Sequence, residues 1–139
     1  EGDASDVAHR RDTVFHAVCD ELTGRRLPGI QLHGFADSTE PDFDVILSTG
    51  AGDDGRQDAR RLARELRDRD FDVCRAWVRK CVLEGRTNQQ GRLASDEEVP
   101  FLHVEFSRTV RSDGERIERV VEAVRTVADG WNAAGSTGA

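Results

Sequence analysis

The sequence has no methionine, only three cysteines, and no apolar run approaching the roughly 20 residues that a membrane-crossing helix requires. A basic stretch followed by an apolar one, the mark of a secretory leader, is also missing from the start. Neither a membrane partner nor a spanning segment is therefore expected. A chain that begins with Glu1 and carries no methionine is expected to be the later part of a longer one. Blocks of like charge are absent too: the net charge of -7 arises from 27 acidic and 20 basic residues that are interspersed, which argues against nucleic acid as a partner. The cysteines, Cys19, Cys74 and Cys81, match no zinc-ribbon spacing, and their odd count leaves one thiol unpaired. They read first as small buried hydrophobes; a Cys74 to Cys81 disulfide is the lesser alternative and would require an oxidising compartment. A cytoplasmic location is expected in preference to a secreted one.

What is present fits one domain. The hydrophobic content of 37% in 139 residues suffices for a single core. The apolar spacing of Phe15, Val18, Cys19 and Leu22 predicts a helix over 12–24, ended by glycine. Short strands are predicted over 30–35, 43–48, 71–78 and 101–107. Between the second and third, the glycine-rich turn 49–55 leads into a helix with Ala59, Leu62, Ala63 and Leu66 inward and arginines outward. Residues 79–98 show no sustained periodicity and read as a long functional loop. Ser112-Asp113-Gly114-Glu115 has the form of a capping box, followed by Ile117, Val120, Val121, Val124 and Val127 as the stripe of a last helix that ends near Gly130 and Trp131. The expected organisation is one α/β domain over 1–131, a largely parallel (mixed) sheet with flanking helices, and a flexible tail over 132–139. In such folds ligands bind beyond the carboxyl ends of the strands.

Two ionisable residues lie near those ends inside apolar runs, His33 and Glu105. A buried carboxylate needs a cation, a metal or a proton, which makes Glu105 a site candidate. The plain alternatives are an ion pair of Glu105 with Arg108 or Arg111, and a hydrogen-bonded core histidine at position 33. His103 lies two residues before Glu105 and so shares its face of the strand, where it can line the same cleft. His9, three residues before Asp12, is a weaker cleft-lining or metal candidate, and His16 reads as an exposed helical histidine. The glycine-rich turn lacks both phosphate-loop patterns, and Asp53 and Asp54 would repel a phosphate, so nucleotide binding is not expected.

Ile30-Gln31-Leu32-His33-Gly34 resembles the strand that delivers the last zinc-binding histidine in zinc carboxypeptidases, and Phe101 to Arg108 resembles the strand that supplies their catalytic glutamate. The order of elements between them, with the loop Glu84 to Arg92, is similar to that of the N-formylglutamate amidohydrolase and phage-type poly-γ-glutamate hydrolase families, over about residues 5 to 128. The resemblance implies a carboxypeptidase-like fold and a zinc-dependent hydrolase of an amide bond in a small carboxylated, glutamate-like or peptide substrate. His33 would bind zinc and Glu105 would be the general base. Arg10, in a loose form of the family's D-x-N-R segment, would clamp the substrate's carboxylate, with Asn88 and Arg108 as further substrate-binding residues. The family's first two zinc ligands form an H-x-x-E pair with no counterpart before Asp6. An N-terminal segment beyond this chain, or another chain, is expected to complete the site, this one being the C-terminal part of a catalytic domain. The competing expectation is a non-catalytic α/β domain that binds a partner or small ligand through residues 79–98.

Overall fold

The computed structural model describes residues 6–137. Four strands, β1 (Gly29–Phe35), β2 (Val45–Ser48), β3 (Val73–Arg75) and β4 (Phe101–Ser107), form one mixed sheet in the order β1-β4-β2-β3. The pairs β1 with β4 and β2 with β3 are parallel, and the central pair β4 with β2 is antiparallel. Helices α1 (Val14–Gly24), α2 (Arg56–Arg67), α3 (Gln89–Asp96), α4 (Arg108–Arg111) and α5 (Gly114–Thr137) flank it, preceded by a single 3-10 turn at Val7–His9. The fold is thus the α/β, largely parallel mixed sheet expected from the alternation of patterns. None of the helices among the described residues is long and apolar enough to cross a membrane.

Strand β4 explains the division of the molecule. All seven of its residues are buried, so both faces are covered, and side chains alternate between them. Leu102, Val104 and Phe106 join Val45 and Leu47 of β2 against Leu62 and Leu66 of α2 and Val120, Ala123 and Val127 of α5. That apolar face is the main core. On the opposite face the same strand presents His103, Glu105 and Ser107, beside Gln31 and His33 of β1 and Ile46 and Ser48 of β2 by register. Polar groups dominate there, except for two small apolar clusters, one of Phe35, Ile46, Cys74 and Cys81 and one of Phe101 with Ala94 and Val99.

Several expectations are corrected. The helix of 12–24 forms as α1, yet its apolar spacing does not mark a buried face: Val18 is 51% exposed, Phe15 and Leu22 are also exposed, and only Thr23 is buried. Strand β3 is three residues long, because the chain turns at Val78, whose N–H donates to Arg75 O. The loop of 79–98 contains helix α3, hidden in the sequence because its buried residues include Gln90 and Gly91 rather than an apolar stripe. Asp113, not Ser112, caps α5, its Oδ1 accepting from the N–H groups of Glu115 and Arg116 at 3.0 and 3.2 Å. Val121 faces solvent. Helix α5 also runs through Gly130 to Thr137, where a tail was expected from 132. Gly130 lies inside the helix, its bare Cα leaving room for Arg61 of α2, and Trp131 packs on the main core. Positions 138 and 139 of that tail lie outside the described residues.

Cys74 and Cys81 are joined as a disulfide, overturning the reading of three reduced thiols, and Cys19 is free. The bridge spans seven residues of sequence and ties β3 to the loop that runs toward α3. Closing a loop that short removes unfolded-state entropy equivalent to about 2–3 kcal/mol. Thiol titration of the denatured, non-reduced protein is therefore expected to count one thiol per chain, and reduction should lower the urea-unfolding free energy by about 2–3 kcal/mol. Three titratable thiols before reduction would contradict the bridge.

Candidate functional site

His33 of β1 and Glu105 of β4 are register partners on adjacent parallel strands, so their side chains leave the sheet on the same side. His103 joins them from two residues earlier on β4. Its ring lies 4.5 Å from that of His33, centroid to centroid, and its Nε2 lies 3.3 Å from Glu105 Oε1. His103 and Glu105 are 3% and 8% exposed. The three side chains open into a cleft of about 340 Å³, lined also by Asp6, His9, Gly85 and Asn88. They sit within the strands, two to four residues short of the carboxyl ends.

Both plain alternatives for these residues fail. Glu105 meets His103, whereas Arg111 donates to the carbonyls of Phe106 and Phe35 and Arg108 is exposed on α4. His33 is not a hydrogen-bonded core histidine: its Nε2 is buried and has no hydrogen-bond partner. An unmet buried ring nitrogen is costly unless it receives a ligand. Burial, and then the neighbouring His103 ring, push the His33 pKa below the ordinary histidine value, against the opposing pull of Glu105. The neutral ring keeps a lone pair available.

The cleft is roofed by the segment that precedes α3. Gly85 adopts φ 65°, and a Cβ there would sit 2.6 Å from the His103 ring, so only glycine lets the backbone pass so near. Beside it the Glu84 side chain accepts from Cys81 N–H and from Arg86; burial works upward on its pKa, and these donors outweigh it, leaving the carboxyl below its usual range. Asn88 caps α3, its Oδ1 accepting from Gly91 N–H at 2.9 Å. Its Nδ2 donates to Gln31 Oε1 and lies 3.3 Å from His103 Nδ1. Gln31 Nε2 donates in turn to Gln90 Oε1 at 3.2 Å, and Gln90 Nε2 to Val7 O at 3.0 Å and His16 Nδ1 at 3.1 Å. His16, expected as an exposed helical residue, is half-buried at the end of this chain.

The other expected residues are placed differently. Arg10 spends its guanidinium on Asp12, with contacts of 3.0 and 2.9 Å, and neither it nor Arg108 lines the cleft. Asn88 does line the cleft but is 0% exposed, and its amide is fully engaged by protein groups. His9 is at the mouth, 3.7 Å from Asp6 rather than paired with Asp12. Sequence reasoning passed over Gln31 and Gln90, whose only signal was an amide inside a strand and inside a helix start.

His33 Nε2 suits a zinc ligand, being unmet, buried and carried by a neutral ring. Among the described residues, however, no three His, Cys, Asp or Glu side chains are grouped to hold a metal ion. A zinc at this site would need donors from outside them.

No protein-family model matches the chain, and no curated protein does. A crystal structure of N-formylglutamate amidohydrolase from Ralstonia eutropha JMP134 is similar in fold, with a TM-score of 0.51 and 13% sequence identity. The similarity covers 77% of this chain, which spans 44% of the length of that one.

The depressed His33 pKa sets a pH dependence. The unfolded ring binds its proton more tightly than the folded one, so the stability gained from keeping it neutral is complete above the ordinary value of about 6.5 and is lost as pH falls from there through the folded value. Between pH ~7.5 and ~5 the unfolding midpoint of the native protein is expected to drop more steeply than that of His33→Gln. Equal slopes would show that His33 is not held neutral by the fold.

Proposed function

We propose that this cleft hydrolyses an amide bond in a small carboxylated, glutamate-like or peptide substrate, with zinc held in part by His33 and Glu105 acting as the general base. The observation that carries this reading is the meeting of an unmet His33 Nε2 with the buried His103–Glu105 pair on one face of the sheet. The likeness in fold to an amidohydrolase structure is in keeping with it, as is the order of elements that resembles zinc-dependent relatives.

When bound, zinc would polarise the scissile carbonyl and acidify a water molecule. Glu105 takes the proton from the water that attacks the amide carbon and returns it to the nitrogen as the carbon–nitrogen bond breaks, releasing an acid and an amine. His103 holds one oxygen of that carboxylate, 3.3 Å away, so the buried base keeps its aim. The remaining zinc donors come from outside the described residues. Two features are compatible with such completion: among the described residues β1 is an edge strand with β4 on one side, and Val14, Phe15, Val18 and Leu22 of α1 are exposed. Placed as they are, Arg10 and Arg108 are not the carboxylate clamp; Asn88 serves the cleft from below the surface.

A second reading, a non-catalytic domain that binds through residues 79–98, draws on the open hollow of about 590 Å³ between Ala76 and Thr87. Two variants separate the readings. In the full-length protein supplied with zinc, Glu105→Gln is expected to lower kcat on an N-acylglutamate about 10²–10⁴-fold with KM little changed. His33→Ala should lower the zinc retained through gel filtration while the circular dichroism spectrum is preserved. Full activity in Glu105→Gln, or no zinc in the native protein, would end the hydrolase reading.

A further inference from the structure

The polar chain beneath the cleft has a direction, and that direction determines which nitrogen of His103 carries its proton. At one end stands Gly91 N–H, which can only donate; at the other stands Val7 C=O, which can only accept. Gly91 N–H requires Asn88 to present Oδ1 to it, which turns the Nδ2 amine toward Gln31 and His103. From the far end, Val7 C=O requires the Nε2 amine of Gln90, so that Gln90 Oε1 accepts from Gln31 Nε2 and leaves Gln31 Oε1 to accept from Asn88. The two ends demand the same orientation of all three amides. Asn88 Nδ2 then spends one hydrogen on Gln31 and aims the other at His103 Nδ1, which must be the unprotonated nitrogen. The ring proton is left on Nε2, the atom that faces Glu105 Oε1.

We propose that Asn88 is a positioning residue for Glu105: by donating to His103 Nδ1 it selects the Nε2–H tautomer, so that His103 donates to the carboxylate instead of turning a lone pair on it. The opposite tautomer would set the Nε2 lone pair against a carboxylate oxygen only 3.3 Å away. The catalytic purpose of this device rests on the hydrolase reading; the assignment of the proton does not. Asn88 acts through His103 and needs no contact with substrate, in keeping with its complete burial.

Asn88→Asp is the informative variant. An aspartate is as good a helix cap as asparagine and can still accept from Gly91 N–H, so α3 keeps its start. It has no hydrogen to give to His103, however, and its second oxygen draws a proton onto Nδ1 whether the ring is neutral or cationic. Nitrogen-15 NMR of histidine-labelled protein reads both ring nitrogens directly, at pH ~8.5, about two units above the ordinary histidine pKa. The native protein is expected to show His103 Nδ1 unprotonated and Nε2 protonated, and Asn88→Asp to show Nδ1 protonated. A native Nδ1 that bears the proton, or a His103 signature unchanged in Asn88→Asp, would overturn the proposal. If the tautomer is as stated but the zinc-supplied protein hydrolyses no amide, the hydrolase reading falls and the assignment of the proton stands.

Discussion

The amide of Asn88, buried against the polar face of the sheet with both its oxygen and its nitrogen engaged, is the constraint on which the rest of that face depends. A buried histidine and carboxylate are tolerable only where their groups are met, since each unmet one costs about 1–3 kcal/mol. Asn88 meets three needs at once. It starts α3, holds the His103 ring, and ties β1 to the loop that roofs the cleft through Gln31. Remove it, and the orientation of two glutamines and one histidine is no longer determined from both ends. Among the described residues His33 Nε2, Arg56 Nε and Trp131 Nε1 are buried without a partner, and of these His33 Nε2 alone belongs to the cleft, which makes it the natural place for a ligand.

The sheet separates stability from chemistry. Its apolar face, with α2 and α5 packed on Leu102, Val104 and Phe106, gathers the larger part of the buried hydrophobic surface. That arrangement lets the other face carry His33, His103 and Glu105 without leaving the domain short of a core. The same strand β4 serves both purposes because its side chains alternate. Covalent and conformational devices hold the roof over the site: the Cys74–Cys81 bridge, and a glycine at position 85 whose lack of Cβ lets the backbone lie against the His103 ring.

How much of this could be read in advance depends on what kind of pattern carried it. Strand β4 was legible to the residue, because a run such as Phe101 to Ser107 has few alternatives, and the two-residue spacing of His103 and Glu105 placed them on one face. His33 and Glu105 were each marked as an ionisable residue near a strand end, but that their strands are neighbours in the sheet has no mark in the sequence. The α1 pattern misled, because spacing reports that a face is apolar and not that anything covers it. Helix α3 was invisible for the converse reason: burial of Gln90 and Gly91 leaves no hydrophobic period. Asn88, Gln31 and Gln90 lie far apart in sequence, and hydrogen-bond complementarity between distant amides has no local signature. Arg10 was drawn to the site by resemblance, while Asp12, two residues on, offered its charge a nearer partner.

The central claim, that Asn88 and His103 act as one buried unit, is tested most directly by a double-mutant cycle on folding stability. Asn88→Ala, His103→Ala and the double variant would be unfolded in urea at one fixed pH. If the two residues depend on one another, the cost of the pair falls short of the sum of the single costs by about 1 kcal/mol or more. Strictly additive costs would contradict the account, because they would mean that His103 sits as well without Asn88 as with it.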